Sequence, residues 1–257
     1  MRQPTIGLLH PGAMGAAVGR VLRARGLTVL WSSHGRSGQS RARAGAAGLT
    51  DAGSAAELFA ASDIVLSICP PHAALQVAML AAGFDGIYVD ANAVAPATAR
   101  RIAREVGSAA MVDGGILGPP PDGHRDTRLY LSGDRAAEVG ALFRETAVDA
   151  RVVEGGPGAA SAVKMAYAAW TKGSAALLLT ARELAAREGV EEILVTDWEQ
   201  FSPEVLDRWR RAANSATAKG WRWVGEMDEI AASMAAQDLP DGFHLAAAEV
   251  YRERGLG

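Results

Sequence analysis

Short apolar runs alternate with longer amphipathic stretches through residues 1–150 of the chain. Apolar runs rich in β-branched residues predict strands, and stretches with apolar positions three and four residues apart predict helices. The predicted strands are Thr5–Leu9, Thr28–Trp31, Ile64–Ile68, Ile87–Asp90, Ala110–Gly114, Arg128–Ser132 and Ala150–Val153. The predicted helices are Met14–Ala24, Ala55–Ala60, Ala73–Ala82, Pro96–Val106 and Arg135–Thr146. This alternation predicts an α/β fold, with a doubly wound parallel sheet and right-handed crossover connections.

The pattern changes at residues 155–158, where Gly-Gly-Pro-Gly ends the alternation. From there to Gly189 the chain is rich in Ala, Leu, Lys, Arg and Glu, which favour helix, and it predicts one long helix. Further helices are predicted to begin near Ser202, Gly220 and Gly242. Every tryptophan except Trp31 lies in this half, so it should have an aromatic core of its own. We predict two domains, a sheet domain over residues 1–155 and an all-helical domain over residues 156–257.

Composition argues against nucleic-acid binding, membrane association, secretion and metal binding. The 257 residues carry a formal net charge of −3, so no basic field favours nucleic acid or an anionic membrane surface as a partner. Cys69 is the only cysteine, which excludes a disulfide within the chain and fits a reducing cytoplasm. No secretory leader and no uncharged apolar run of about 18 residues are evident, so we expect a cytoplasmic protein. The histidines lack the spacing of metal ligands, and no metal is expected.

The first predicted strand runs into a glycine turn, His10-Pro11-Gly12-Ala13-Met14-Gly15, that opens the first predicted helix. Such a turn presents unpaired backbone N–H groups and the positive helix end, which together bind a pyrophosphate. Gly12 would let the phosphate approach the backbone, and Gly15 would let the helix pack on the strand. His10 replaces the first glycine of the G-x-G-x-x-G fingerprint, so a tight turn without a ligand is the alternative. We predict a Rossmann domain whose cofactor contacts include Gly12, Ala13, Met14 and Gly15.

The residues after the second predicted strand occupy the place that normally contacts the adenosine ribose of a dinucleotide. Here Ser32, Ser33 and Arg36 stand where an NAD site would have a carboxylate, and no Asp or Glu occurs from residue 29 to 50. The hydroxyls can donate hydrogen bonds to a 2′-phosphate, and Arg36 adds a full charge that fits phosphate geometry. NADP is therefore predicted over NAD. Because Arg41 and Arg43 follow, the alternative is a solvated basic loop.

Cys69 and Pro70 follow the next buried strand, at the sheet edge where α/β folds bind their ligands. We predict that both border the nicotinamide side of the cofactor. The neighbouring sequence contains neither a cation nor a His–Asn pair that would activate the thiol, so we interpret the Cys69 side chain as packing.

Four segments, spread from the first glycine turn to the start of the long predicted helix, carry motifs that belong together. They are Gly12-Ala13-Met14-Gly15, Tyr88-Val89-Asp90-Ala91-Asn92-Ala93-Val94-Ala95-Pro96, Asp113-Gly114-Gly115-Ile116-Leu117-Gly118-Pro119, and Gly156-Pro157-Gly158 with Lys164. Together they resemble the G-x-M-G turn, the two substrate segments and the G-x-G…K helix start of the β-hydroxyacid dehydrogenase superfamily. That superfamily includes 6-phosphogluconate dehydrogenase and 3-hydroxyisobutyrate dehydrogenase. Residues 219–231 and 239–244 resemble the helical domain of undetermined function found in phosphogluconate dehydrogenase-like proteins.

The resemblance implies an NADP-dependent oxidoreductase that transfers a hydride between NADPH and a small carbonyl or hydroxy compound. It places the catalytic lysine at Lys164, whose ammonium would protonate the alkoxide formed when hydride reduces a C=O group. It also implies substrate contacts at Asn92, Gly118, Tyr167, Trp223 and Glu226. Asn92 is expected beside the nicotinamide as well, with a turn residue that holds its own backbone as the alternative. For Glu226 the alternative is a buried cap or ion pair.

The sequence departs from the family at three motif positions. Asn92 and Leu117 each replace a serine, and Ala168 replaces an asparagine four residues after Lys164, with Tyr167 beside it. These changes keep the reaction class and argue against ordinary short β-hydroxyacids as substrates. Imine reduction on the same scaffold, a non-catalytic NADP-binding sensor and an interaction protein without a cofactor stay open. Helical domains of this family pair two chains, so we expect a homodimer.

Overall fold

The computed structural model describes residues 2–107 and 111–254. The strands are β1 (Ile6–Leu8), β2 (Val29–Trp31), β3 (Thr50–Asp51), β4 (Ile64–Ser67), β5 (Ile87–Asp90), β6 (Met111–Leu117), β7 (Thr127–Ser132) and β8 (Val148–Val152). The helices among them are α1 (Ala13–Ala24), α2 (Gly38–Ala46), α3 (Ala55–Ala61), α4 (Ala74–Ala78), α5 (Pro96–Val106) and α6 (Ala136–Ala141). Then follow α7 (Ala159–Arg187), α8 (Glu191–Phe201), α9 (Pro203–Ala235) and α10 (Gly242–Arg254).

Within the described residues, the strands form an eight-stranded sheet in the order β3-β2-β1-β4-β5-β6-β7-β8. In β1, Ile6 lies opposite Val29 of β2 on one side and opposite Ile64 of β4 on the other. The direction of winding therefore reverses between β1 and β4. That reversal is the topological switch point at which doubly wound sheets bind ligands. The predicted doubly wound α/β fold is confirmed.

The prediction of a wholly parallel sheet is wrong at one strand pair. β6 and β7 are antiparallel, with Asp113 opposite Ser132 and Leu117 opposite Arg128. Residues 118–126 join the two strands without a helix, and such a direct return reverses the strand direction. β8 is again parallel to β7, because α6 forms a crossover between them.

Apolar side chains cover both faces of the sheet. On one face Leu8 and Val29 are buried in a cluster with Leu22 of α1. On the opposite face Val65 is buried in a second cluster with Ile102 of α5. Burial on both sides explains why the central strands are continuous apolar runs in the sequence.

The chain divides into two compact units, Met1–Lys164 and Met165–Gly257. The division falls within α7 and not at the glycine turn before it. The first turn of α7 is bonded to the sheet, since the backbone N–H of Ala160 donates to the Ser132 hydroxyl at 3.0 Å. The second unit is all-helical as far as the structure describes it, up to Arg254. None of the helices in residues 2–107 and 111–254 is both long and apolar enough to cross a membrane.

Several elements differ from the predictions. The sequence did not predict α2, β3 or α8. The helix start expected near Gly220 is wrong, because α9 runs through this residue without interruption. A glycine inside a helix costs about 1 kcal/mol and does not by itself end the helix. Ala110, the first residue of the predicted fifth strand, lies outside the described residues.

Candidate cofactor site

The turn between β1 and α1 leaves the N-terminus of α1 open beside the switch point. Gly12 is the N-cap, and within the described part of the chain no side chain caps this helix end. A Cβ added to Gly12 would meet no atom within 4 Å, so there is space beside the backbone. A Cβ on Gly15 would lie 2.2 Å from the carbonyl oxygen of His10, so only glycine lets α1 pack this closely. The space beside Gly12 is where the predicted phosphate would lie.

Two enclosed nitrogen atoms near this turn, Nδ1 of His10 and Nε of Arg36, have no hydrogen-bond partner among the described residues. Burial, and then the charge of Arg36, lower the pKa of His10 to about 4, so its imidazole is neutral near pH 7. Burial also lowers the pKa of Arg36. Buried polar atoms are nearly always satisfied in folded proteins, and a bound ligand would supply partners for these two atoms.

The two serines after β2 already form hydrogen bonds within the protein. The Ser32 hydroxyl donates to the carbonyl of Gly53 at 3.1 Å. The Ser33 hydroxyl bonds to the carboxylate of Asp51 and lowers the pKa of that carboxyl group. Arg41 of α2 donates to the carbonyl of Ser33 at 3.0 Å. The predicted contacts of Ser32 and Ser33 with a 2′-phosphate stay predictions.

Sequence reasoning missed Asp51 and gave Arg43 no role of its own. Asp51 comes just after the stretch that lacks carboxylates, and the pairing of β3 with β2 brings it beside Ser33. Arg43 donates from Nε to the carbonyl of Pro11 at 3.0 Å, so it ties α2 to the glycine turn. The sequence does show a cluster of arginines after β2 that could have pointed to Arg43. The spacing of these arginines alone does not show which of them contacts the glycine turn.

Asn92 holds the ends of β4 and β5 together. Its Nδ2 donates to Asp90 at 2.9 Å and to the Ser67 hydroxyl at 3.2 Å. Its Oδ1 accepts from the backbone N–H of Cys69 at 2.5 Å. The side chain is buried, and these bonds fix the loop that contains Cys69 and Pro70. A contact of Asn92 with nicotinamide or substrate stays a prediction.

Cys69 is a partly buried thiol at the sheet's carboxyl edge. Burial, followed by the nearby charge of Asp90, raises the pKa of Cys69 to about 12. A thiol with such a pKa is almost wholly protonated near pH 7 and is a poor nucleophile. This geometry favours the interpretation of Cys69 as a packing residue.

The start of α7 is fixed by Asp113 of β6. The buried Asp113 carboxylate accepts hydrogen bonds from the backbone N–H groups of Gly158 and Ser161 and from the hydroxyls of Ser132 and Ser161. Donors at a helix N-terminus favour a negative charge, so the carboxylate acts as a cap supplied by the sheet.

Lys164 lies in the second turn of α7, where the helix passes close to β6. A Cβ added to Gly115 would lie 2.8 Å from the carbonyl of Ala160 and 2.9 Å from Cβ of Lys164. Glycine in β6 therefore lets α7 approach the sheet closely. Lys164 is half-buried at this position. The Asp113 bonds and this close approach fix the backbone from which its ammonium extends.

In the second unit, Glu226 of α9 forms an ion pair with Lys172 of α7, and the two side chains are 15% and 16% exposed. Nζ of Lys172 lies 5.4 Å from the ring centroid of Trp223. Tyr251 packs edge-to-face on Trp223 and donates to the carbonyl of Lys172 at 2.6 Å. The ion pair is one of the roles that the sequence left open for Glu226. Substrate contacts of Trp223 and Glu226 stay predictions.

Two further predicted substrate residues are accessible. Gly118 is exposed and has a φ of 101°, and a Cβ there would lie 2.2 Å from the carbonyl of Asp126. The tight return from β6 towards β7 therefore requires glycine. Tyr167 on α7 is 38% exposed. Among residues 2–107 and 111–254 no group of three or more His, Cys, Asp or Glu side chains could hold a metal ion.

Known proteins share this architecture. Residues 185–254 match the domain of unknown function DUF1932. The structure of MTH1747, a conserved protein of unknown function similar to 3-hydroxyacid dehydrogenases, aligns with a TM-score of 0.72 and 26% identity over 98% of both chains. The reductive aminase of Aspergillus terreus, in complex with NADPH and ethyl levulinate, aligns with a TM-score of 0.61 and 19% identity. That alignment covers 98% of this chain and 93% of the aminase.

A 28.5 kDa uncharacterized protein of Methanothermus fervidus, from the 5′ region of 7S RNA, is 33% identical over 140 residues. The match spans about half of each chain, 54% in both cases. The chain thus has the fold of the 3-hydroxyacid dehydrogenases and 6-phosphogluconate dehydrogenase-like proteins. Its Rossmann-type sheet domain is followed by helices that contain DUF1932.

Proposed function

We propose that the protein is an NADP-dependent oxidoreductase that transfers a hydride between NADPH and a small carbonyl or hydroxy compound. The observation that supports this best is the open N-terminus of α1 at Gly12, with the unsatisfied nitrogen atoms of His10 and Arg36 beside it. Helix N-termini and arginine side chains are the groups that bind pyrophosphate. The Aspergillus terreus reductive aminase, which has the same fold, was solved with NADPH.

The basic surface after β2 favours NADP over NAD. Arg36, Arg41 and Arg43 follow one another in the loop and helix that border the glycine turn. Asp51 supplies a negative charge at the same rim, but its carboxylate is engaged by Ser33 and lies within the field of Arg41. The arginines outnumber this carboxylate, so the rim has a net positive charge that attracts a ribose phosphate.

Lys164 is the general acid and base of the proposed reaction. When bound, the nicotinamide supplies or accepts the hydride. Hydride addition to a carbonyl carbon leaves an alkoxide, which Nζ of Lys164 protonates, and in the reverse direction the neutral amine removes the hydroxyl proton. The Asp113 cap and the close approach at Gly115 hold the backbone of Lys164 in one place. Asn92 and Gly118 are the proposed substrate contacts in the same unit as Lys164.

Turnover of NADPH with a panel of aldehydes, ketones, keto acids and cyclic imines tests this proposal. Lys164→Ala is expected to lower kcat by about 100-fold or more while the Kd for NADPH stays within about twofold. Lys164→Arg keeps the charge without a readily transferred proton, so it should also be inactive.

The panel also separates the alternatives. Turnover of imines alone would favour imine reduction. NADPH binding without any turnover would indicate a non-catalytic NADP-binding sensor. Failure to bind either dinucleotide would indicate an interaction protein without a cofactor.

We further propose a homodimer that forms through the helical unit. Three large apolar side chains recur along α7 at seven-residue spacing, and they are 66% (Trp170), 71% (Leu177) and 61% (Leu184) exposed. Seven-residue spacing places them along one side of the helix, as in helices that pair with another helix. An exposed apolar stripe of this kind is typical of an association surface.

A further inference from the structure

A groove of about 320 Å³ lies between α7 and α9 in the second unit. Small side chains from both helices line it, namely Ser174 and Ala175 of α7 and Ala212 and Ser215 of α9. Because these side chains are short, they leave space between the two helices. Pockets that bind small molecules begin at roughly this volume, about 300 Å³. The groove is therefore large enough for a small organic ligand.

Two arginines of α9, Arg208 and Arg211, also line the groove. They are three residues apart and so lie on one face of the helix. Neither forms a hydrogen bond or an ion pair with any residue that the structure describes, whereas Arg210 between them pairs with Asp207 at 3.0 Å. The groove has no Asp or Glu among its described lining residues. Two positive charges are thus left to a ligand, in a chain whose formal net charge is −3.

Two tryptophans, Trp170 of α7 and Trp223 of α9, complete the part of the lining that matters for a ligand. Trp223 is held in place by Tyr251, which packs edge-to-face on it with the ring centroids 5.0 Å apart. Trp170 is 66% exposed, an unfavourable position for so large an apolar surface. Flat indole surfaces stack favourably on other aromatic rings. The groove therefore combines stacking surfaces for a ring with positive charge for an anion.

The position of the groove along the helices favours a carboxylate over a phosphate. Its lining residues lie within α7 and α9, beyond the first turn of each helix. The backbone N–H groups there are bonded within the helix, so a ligand can bind only to side chains. Phosphate sites commonly use the free N–H groups of a helix N-terminus. A carboxylate instead has two coplanar oxygens, which match the fork of a guanidinium group.

We propose that the groove between α7 and α9 binds a planar aromatic carboxylate. Arg208 and Arg211 bind the carboxylate group, and the indoles of Trp170 and Trp223 stack on the ring. This inference does not depend on the proposed function, because every residue that it uses belongs to the second unit. Of the apolar stripe that we propose for the dimer, only Trp170 lines the groove.

Calorimetric titration of the full chain with 2-naphthoate tests this site. We expect one ligand per chain and a Kd of about 1 mM or lower, from the affinity typical of a ligand of this size. The amide 2-naphthamide lacks the charge, and cyclohexanecarboxylate lacks the flat ring. Each should bind about tenfold more weakly or worse.

Variants of the groove separate its charges from its shape. Arg208→Gln and Arg211→Gln should each weaken 2-naphthoate by about tenfold or more. Arg210→Gln removes the same charge from the same helix, but from a residue that pairs with Asp207, so the Kd should stay within about twofold. Ser174→Leu keeps both arginines and fills the groove, and it should abolish binding. Leucine favours helix, so the fold should persist, as circular dichroism would show.

The contribution of stacking is measured at an exposed tryptophan. Trp170→Ala removes one stacking surface and should weaken 2-naphthoate by about fivefold or more. Trp221→Ala is the matched control, since Trp221 is 59% exposed on α9 and does not line the groove. It should leave the Kd within about twofold.

The inference is overturned if the wild type does not bind 2-naphthoate, or if 2-naphthamide binds equally well. It is also overturned if Arg210→Gln weakens binding as much as Arg208→Gln does. Binding that is lost in Arg36→Gln and kept in Arg208→Gln would assign the ligand to the sheet domain and would overturn it as well. Failure of NADPH to bind would remove the proposed function and leave this site intact.

Discussion

His10 is expected to make the stability of the sheet domain depend on pH. Burial and the charge of Arg36 lower its pKa to about 4, whereas a histidine in an unfolded chain titrates near pH 6.5. Between these values the unfolded chain binds more protons than the folded chain, so stability decreases as the pH falls. Through this group the free energy of unfolding should decrease by up to about 3 kcal/mol between about pH 6.5 and pH 4.

Urea denaturation at a series of pH values measures this effect. His10→Asn keeps a neutral polar side chain and should flatten the decline in that range. His124→Asn removes an exposed histidine and should leave the decline unchanged. A wild-type slope in His10→Asn would show that His10 titrates like a solvated histidine.

Single residues could be predicted from the sequence where their role depends on the local backbone. Gly15 is an example, because close packing of a helix on its own turn is set within a few residues. Asn92 is a counterexample, since its partners Asp90, Ser67 and Cys69 include residues more than twenty positions away. The partial burial of Arg36 is another, because burial of a side chain on a loop depends on neighbours from other strands.

At the scale of elements, the attachment of α7 to β6 is the feature most sensitive to a single change. The buried Asp113 carboxylate accepts two backbone and two hydroxyl hydrogen bonds. Asp113→Asn replaces one of the two acceptor oxygens with an NH2 donor that faces other donors. We expect it to lower the free energy of unfolding by about 3 kcal/mol and to reduce turnover, since Lys164 follows this helix start.

Chemical denaturation and steady-state kinetics check this expectation. Asp134→Asn, at an exposed carboxylate of the same unit, should change neither value. If Asp113→Asn unfolds at the wild-type denaturant concentration, the carboxylate does not anchor α7.

Elements with strong apolar patterns could be predicted, and those without could not. The central strands β1, β4 and β5 are buried on both faces and appear in the sequence as apolar runs. The edge strand β3 has two exposed residues, and α8 has no buried residue, so neither leaves a clear pattern. The antiparallel direction of β7 depends on a loop, which hydrophobic periodicity does not describe.

At the scale of the whole molecule, the apolar stripe on α7 predicts association of two chains. Leu177→Glu combined with Leu184→Glu would place charges on this surface, and each leucine removed from an interface costs about 1.5 to 3 kcal/mol. We expect light scattering to give a dimer mass for the wild type and a monomer mass for the double variant.

Leu80→Glu is the control for this experiment, because Leu80 is also exposed, at 53%, but lies in the sheet unit. It should remain dimeric. A wild-type protein that is monomeric at micromolar concentration would contradict the proposed assembly.

Dinucleotide binding at the glycine turn is the central claim, and titration of Gly12→Asp with NADPH tests it most directly. The Gly12 backbone, with φ −66° and ψ −176°, accepts any residue, and its Cβ has open space. Asp is also a favourable N-cap, so the variant should unfold at or above the wild-type temperature. Its carboxylate would repel the pyrophosphate, and we expect NADPH affinity to fall by about 100-fold or more. Wild-type affinity in the folded variant would contradict the account.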